Sequence, residues 1–194
     1  MSDTADLLAA LKPVAAVLER LGVRHYVGGS VASTVHGAIR STMDVDLVCE
    51  LRVEQIEPFL AAFGDDFYVS PQAVRHAVEH RSCFNLIHLP TAYKVDVFVS
   101  RGRPFDVSAM TRAVLRPLAE EDPLRVPVAT AEDSIIAKLE WFRLGDESSQ
   151  RQWNDVSRLV ALHGPSLDVA HMRRMAESVG VLDLLGRLLT RGGR

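Results

Sequence analysis

Two cysteines in 194 residues, Cys49 and Cys83, provide no disulfide framework. Both sit in apolar, strand-like surroundings, so buried free thiols in a reducing cytoplasm are expected. No apolar run approaches the roughly 20 residues that span a bilayer, so no membrane segment is expected. The opening Met1-Ser2-Asp3-Thr4-Ala5-Asp6 has no basic region ahead of an apolar stretch and does not read as a signal peptide. A net charge of −3 exerts no global pull on nucleic acid, and such a ligand would need a local basic face. There is no Gly-x-Ser-x-Gly elbow, and Gly28-Gly29-Ser30 lacks the lysine that would make it a P-loop. His76 and His80 have zinc-ligand spacing, but no cysteine or acidic cluster joins them, so they read as surface histidines. With 47% hydrophobic and 24% charged residues, the chain can bury a core as one domain or as a core plus a small appendage.

Its most informative stretch runs from His25 to Val48. His25-Tyr26-Val27 reads as a short strand that ends in Gly28-Gly29-Ser30, and a helical pattern opens at once. Such a junction aims free backbone N–H groups at an anion above the helix N-terminus, and glycine lets that anion approach. Ser30 has two compatible roles, helix N-cap and phosphate ligand. Asp44-Val45-Asp46 follows on a strand, where a period of two puts both carboxylates on one face and Val45, Leu47 and Cys49 on the other. Adjacent carboxylates are costly unless cations neutralise them, and Mg²⁺ is the usual partner. A phosphate cradle followed by a carboxylate pair reads as a metal–nucleotide site. Farther on, Lys94, Asp96 and Phe98 share one face of another apolar strand, with Val95, Val97 and Val99 on the other.

Gly29-Ser30, 13 intervening residues and Asp44-x-Asp46, with Asp96 on a later strand, resemble the DNA-polymerase-beta-type nucleotidyltransferase superfamily. Each piece alone is common; the ordered set, each in its required element, carries the resemblance across roughly the first two-thirds of the chain. It implies an α+β fold: a small mixed β-sheet core with flanking helices over 1–128 and a helical C-terminal segment over 129–194. It further implies transfer of a nucleoside monophosphate from an NTP to an acceptor, with release of pyrophosphate. Asp44, Asp46 and Asp96 would be catalytic and would hold two Mg²⁺ ions, while Gly28, Gly29 and Ser30 would hold the phosphates. Arg40 is either a triphosphate clamp or a solvated loop arginine, and Lys138 either approaches the phosphates or is an exposed helix lysine. Acceptors in this superfamily include antibiotics, proteins and RNA ends, and similar chains serve in bacterial toxin–antitoxin or abortive-infection systems, so a cognate partner chain is a further expectation. The alternative is a non-catalytic partner-binding subunit or antitoxin of the same fold.

The remaining pattern is regular. An apolar stripe over 5–21 predicts a helix that begins or kinks at Pro13 and stops at Gly22. A helix over 53–63, a strand at Phe67-Tyr68-Val69 and a helix from Pro71 follow. Strands 83–89 and 92–99 are joined by Pro90-Thr91 as a hairpin. Short strands are expected at 112–118 and 124–128 around the acidic turn 120–123. Thr130 then caps a helix with Asp133 at the capping-box position, and helices fill the rest. Asp155 is expected to give structural support. Arg143, Arg151 and Arg158 make either a basic face for RNA or ordinary helix surface.

Overall fold

The computed structural model describes residues 3–38, 44–118 and 125–192. Helix α1 (Asp3–Arg20) continues through Pro13 rather than starting there. Leu11, Val14, Val17 and Leu18 are buried on both sides of the proline. At about 1.5–3 kcal/mol each, that burial outweighs the roughly 3 kcal/mol that an interior proline costs. Gly22 ends the segment in the left-handed region (φ +65°), its N–H donating to the Glu19 carbonyl at 2.9 Å.

Strand β1 (His25–Val27) leads into helix α2 (Gly29–Val35), and strand β2 (Asp44–Cys49) pairs back antiparallel on β1. A 3₁₀ turn and the short helix α3 (Ile56–Leu60) occupy the stretch expected as one longer helix. Then come β3 (Phe67–Val69), α4 (Pro71–His80) with Pro71 in its first turn, β4 (Cys83–His88) and β5 (Tyr93–Val99). β4 and β5 form the expected hairpin, and β5 lies parallel to β2. Helix α5 (Pro104–Arg112), which the sequence reading had missed, precedes β6 (Val114–Pro117) and β7 (Arg125–Val128). The seven strands form one mixed sheet in the order β3-β4-β5-β2-β1-β7-β6. The acidic turn at 120–123 lies outside the described residues.

One sheet face carries Val45, Leu47, Cys49, Val95 and Val97, all buried, with α1 and α4 packed on these strands. From Ala131 on, every element is helical: α6 (Ala131–Leu144), α7 (Gln150–His163), a 3₁₀ turn, α8 (Val169–Ser178) and α9 (Leu182–Gly192). A continuous apolar core joins these helices to the sheet. Two histidines help to lock the junction. His36 Nε2 donates to the Ala129 carbonyl at 2.7 Å, and His163 Nε2 donates to the His36 carbonyl at 2.8 Å. Because both acceptors are carbonyls, each Nε2 must carry its proton.

Candidate active site

The opposite sheet face is where the charged residues gather. In the parallel β2–β5 ladder Asp46 is the direct partner of Asp96, and Asp44 that of Lys94. The period-two alternation thus places Asp44, Asp46, Lys94 and Asp96 on one patch of sheet. Each of these strands alternates between buried and half-buried residues, the charged ones being half-buried. Partial desolvation, followed by the charges of Asp44 and Asp96, pushes Asp46 up to about 6. Lys138 and the Ser30 amide, which donates to its carboxylate, pull it back in part.

The glycine turn meets this patch directly. The Gly28 N–H donates to the Asp46 carbonyl at 2.9 Å. Gly29 has φ +56°, and a Cβ there would overlap the Asp46 carboxylate. The second glycine is therefore required twice, by its backbone conformation and by the close approach of Asp46. Ser30 is not the N-cap: Gly28 holds that position with no side-chain cap, and Ser30 lies in the first turn of α2. Arg40 lies outside the described residues.

Gly28, Gly29, Ser30, Asp44 and Asp46 line a cleft of about 680 Å³ whose far wall is α6 with the start of α7. Lys138 belongs to that wall and is 9% exposed, so it is not the surface lysine that helix position alone suggested. Its ammonium sits 3.1 Å from the Asp155 carboxylate, which gives Asp155 the expected supporting part. Arg103 pairs with Asp106 (2.8 Å) and with Glu140, joining α5 to α6. Asp133, 1% exposed, accepts hydrogen bonds from His171 Nε2 (2.8 Å), the Thr130 hydroxyl (2.9 Å) and Arg112 (3.3 Å). Thr130 is the N-cap that the sequence predicted. The Ser134 hydroxyl, one turn before Lys138, is buried against the cleft with no partner among the described residues. Trp141 stands half exposed at the rim, edge-on to Phe98.

Arg103, Asp106, Glu140, Ser134 and Trp141 escaped the sequence reading. The signal for the first two was present: Pro104 at a first turn and Asp106 three residues after Arg103, whose N–H donates to it at 3.0 Å. Cys83 is a correction. It is exposed on the cleft side of β4 while Cys49 is buried, because the alternation that turns Phe84 and Leu86 inward turns Cys83 outward. Both cysteines are free. Partial burial of its thiol, then the charges of Asp96 and Asp46, push Cys83 up to about 11, so it stays a neutral thiol at pH 7 and is no nucleophile. Arg143 is occupied by Glu147 and Asp183, whereas Arg151 lines the cleft.

The donor set of Asp44, Asp46 and Asp96 suits a hard divalent cation: all oxygen, all on one sheet patch, with charge repulsion that a cation relieves. Among the described residues, however, no group of three acidic, histidine or cysteine side chains already converges on one metal position. Asp96 is instead paired with the Lys94 ammonium at 2.7 Å.

No protein-family model and no curated protein matches the sequence. Solved structures do match in shape. A nucleotidyltransferase-like antigenic protein from Paracoccidioides brasiliensis superposes with a TM-score of 0.56 over 96% of this chain and 93% of its own, at 17% identity. The chain shares the nucleotidyltransferase-like fold. The antibiotic-resistance factor ANT(2'')-Ia (TM-score 0.49, 17% identity, 96% and 93% coverage) and JHP933 from Helicobacter pylori (0.43, 11%, 100% and 94%) align less closely and add nothing to that assignment. Among the described residues no helix is long and apolar enough to cross a membrane.

Proposed function

We propose that the cleft carries out metal-dependent transfer of a nucleoside monophosphate from an NTP to an acceptor hydroxyl. The observation that carries this reading is the register that sets Asp46 beside Asp96, with Asp44 on the same face, against a glycine turn whose Gly29 leaves no room for a side chain. That combination offers carboxylates for a cation at the point where backbone can approach a phosphate.

In this reading the acceptor oxygen attacks the α-phosphorus, the bond from that phosphorus to the bridging oxygen of the β-phosphate breaks, and pyrophosphate leaves. Asp96 takes part in holding the acceptor's proton. Gly28, Gly29 and Ser30 bring backbone to the β- and γ-phosphates, and Lys138 on the opposite wall presents its charge to them. The result is an α-phosphorus held in line between acceptor and leaving group. Asp44, Asp46 and Asp96 would hold Mg²⁺, which neutralises the triphosphate and makes the acceptor hydroxyl more acidic. Acceptors of this chemistry are RNA, protein or a small molecule.

The test is incubation with Mg²⁺ and each α-³²P-labelled NTP, with and without cell extract, followed by gel and thin-layer separation. Label on an acceptor that vanishes in Asp46→Asn and in Asp96→Asn supports the reading and reveals the acceptor class. Absence of label together with absence of any NTP-dependent thermal shift overturns it. A partner chain that then co-purifies would make the protein a binding subunit of the same fold.

A further inference from the structure

Lys94 has no part in the chemistry above, yet it is the cation nearest the carboxylates by position. It is the direct ladder partner of Asp44 and stands two residues before Asp96, so all of them project from one sheet face. Its ammonium lies 2.7 Å from Asp96 and also feels the charges of Asp44 and Asp46. The lysine side chain is 42% exposed while that of Asp96 is 15% exposed, so a more exposed ammonium is paired with a more buried acid. The cations of the far wall have partners there, Lys138 with Asp155 and Arg103 with Asp106 and Glu140, although the charge of Lys138 also acts on Asp46.

We infer that Lys94 is a built-in counter-cation of this cluster, holding Asp96 aside until a divalent ion displaces it. The inference rests on the proposed metal-dependent function and adds to it a residue that sets how tightly, and against what competition, metal enters. It explains why three suitable acids on one patch do not already converge. It also gives Lys94 a protective part: with the ion absent, the ammonium limits repulsion among acids that burial makes costly.

The test uses Mn²⁺ alone, titrated calorimetrically into metal-free protein: wild type, Lys94→Met, Lys94→Gln, Lys94→Arg and Asp46→Asn, each first shown folded by circular dichroism. Removing the competing charge in Lys94→Met or Lys94→Gln should tighten Mn²⁺ binding about tenfold, the size of one close charge contact. Lys94→Arg should stay within about twofold of wild type, and Asp46→Asn should weaken binding in every background. In chelator, Lys94→Met should melt below wild type and gain more on adding Mn²⁺. If Asp46→Asn weakens binding but Lys94→Met and Lys94→Gln bind no tighter than wild type, the counter-cation is overturned and the proposed function stands. If neither wild type nor the lysine variants bind Mn²⁺, both fall.

Discussion

The two walls of the cleft treat charge in opposite ways. On the helical wall acids and bases are matched: Lys138 with Asp155, Arg103 with Asp106 and Glu140, and Asp133 with Arg112 and His171. On the sheet side Asp44, Asp46 and Asp96 crowd one face, and the charges of the other two help to push Asp46 up. Matched buried charges fix where elements sit, because breaking one leaves its partner desolvated and alone. A crowded cluster of like charges raises the energy of the empty site and is relieved by a cationic ligand. The helical wall therefore reads as scaffold and the sheet wall as the reacting surface.

The largest effect should come from the scaffold. Asp133→Ala removes a carboxylate that is 1% exposed and holds three donors, from the α6 cap, α5 and α8. A loss of about 4 kcal/mol in urea unfolding is expected, since breaking a buried ion pair typically costs 3–5 kcal/mol. A loss below about 1 kcal/mol would dissolve the distinction between the walls. Gly29→Ala should come next, at about 3 kcal/mol, from a left-handed backbone plus overlap with the Asp46 carboxylate. A double-mutant cycle separates the two parts: in an Asp46→Gly background the overlap is gone, and the cost should fall to about 1 kcal/mol.

Asp46→Asn should act with the opposite sign. In the folded protein Asp46 is raised from 3.8 to about 6, so the native state holds its proton over a range where the unfolded chain has lost it. Stability from this group is thus complete below pH 4 and declines as pH rises through 6. In metal-free protein at pH 7, Asn should stabilise the fold by about 2 kcal/mol, and the gain should shrink as pH falls toward 4. Thermal melts across that range, in chelator, measure it. A destabilised Asp46→Asn at pH 7 would mean that the sheet wall is matched after all.

Much of this contrast was legible in the sequence, but unevenly. Alternation in Asp44–Cys49 and Lys94–Val99 placed three acids on one face, because a half-covered strand must segregate its side chains. The helix starts at Pro71 and Thr130 were equally plain. What local pattern could not convey was depth. Lys138 and Trp141 sit on one helix, yet the lysine is buried and the tryptophan half exposed, because the cleft rather than the amphipathic stripe decides. Ser30 looked like a cap, but the cap is Gly28, two residues earlier, and the helix starts at Gly29, where only glycine fits beside Asp46. The pairing of Asp96 with Lys94 was hidden too, since spacing gives a shared face and not which of two neighbours a carboxylate prefers.

The smallest effect belongs to a pair that looks strong on geometry alone. Arg24 grips Glu50 with two hydrogen bonds of 2.9 and 2.8 Å, a better fork than any single contact of Lys138. Yet Arg24 is 58% exposed, and the backbone beneath is already fixed by the Glu50 N–H donating to the Arg24 carbonyl at 3.0 Å. Water and salt screen most of what the fork gains, and the strands need no help to stay in register. Arg24→Gln should therefore cost no more than about 0.5 kcal/mol, and at roughly 1 M salt the difference should vanish. Lys138→Met removes a single but buried contact and should cost several times more, with little response to salt. Equal costs for the two variants would show that burial is not what separates scaffold charges from surface ones in this fold.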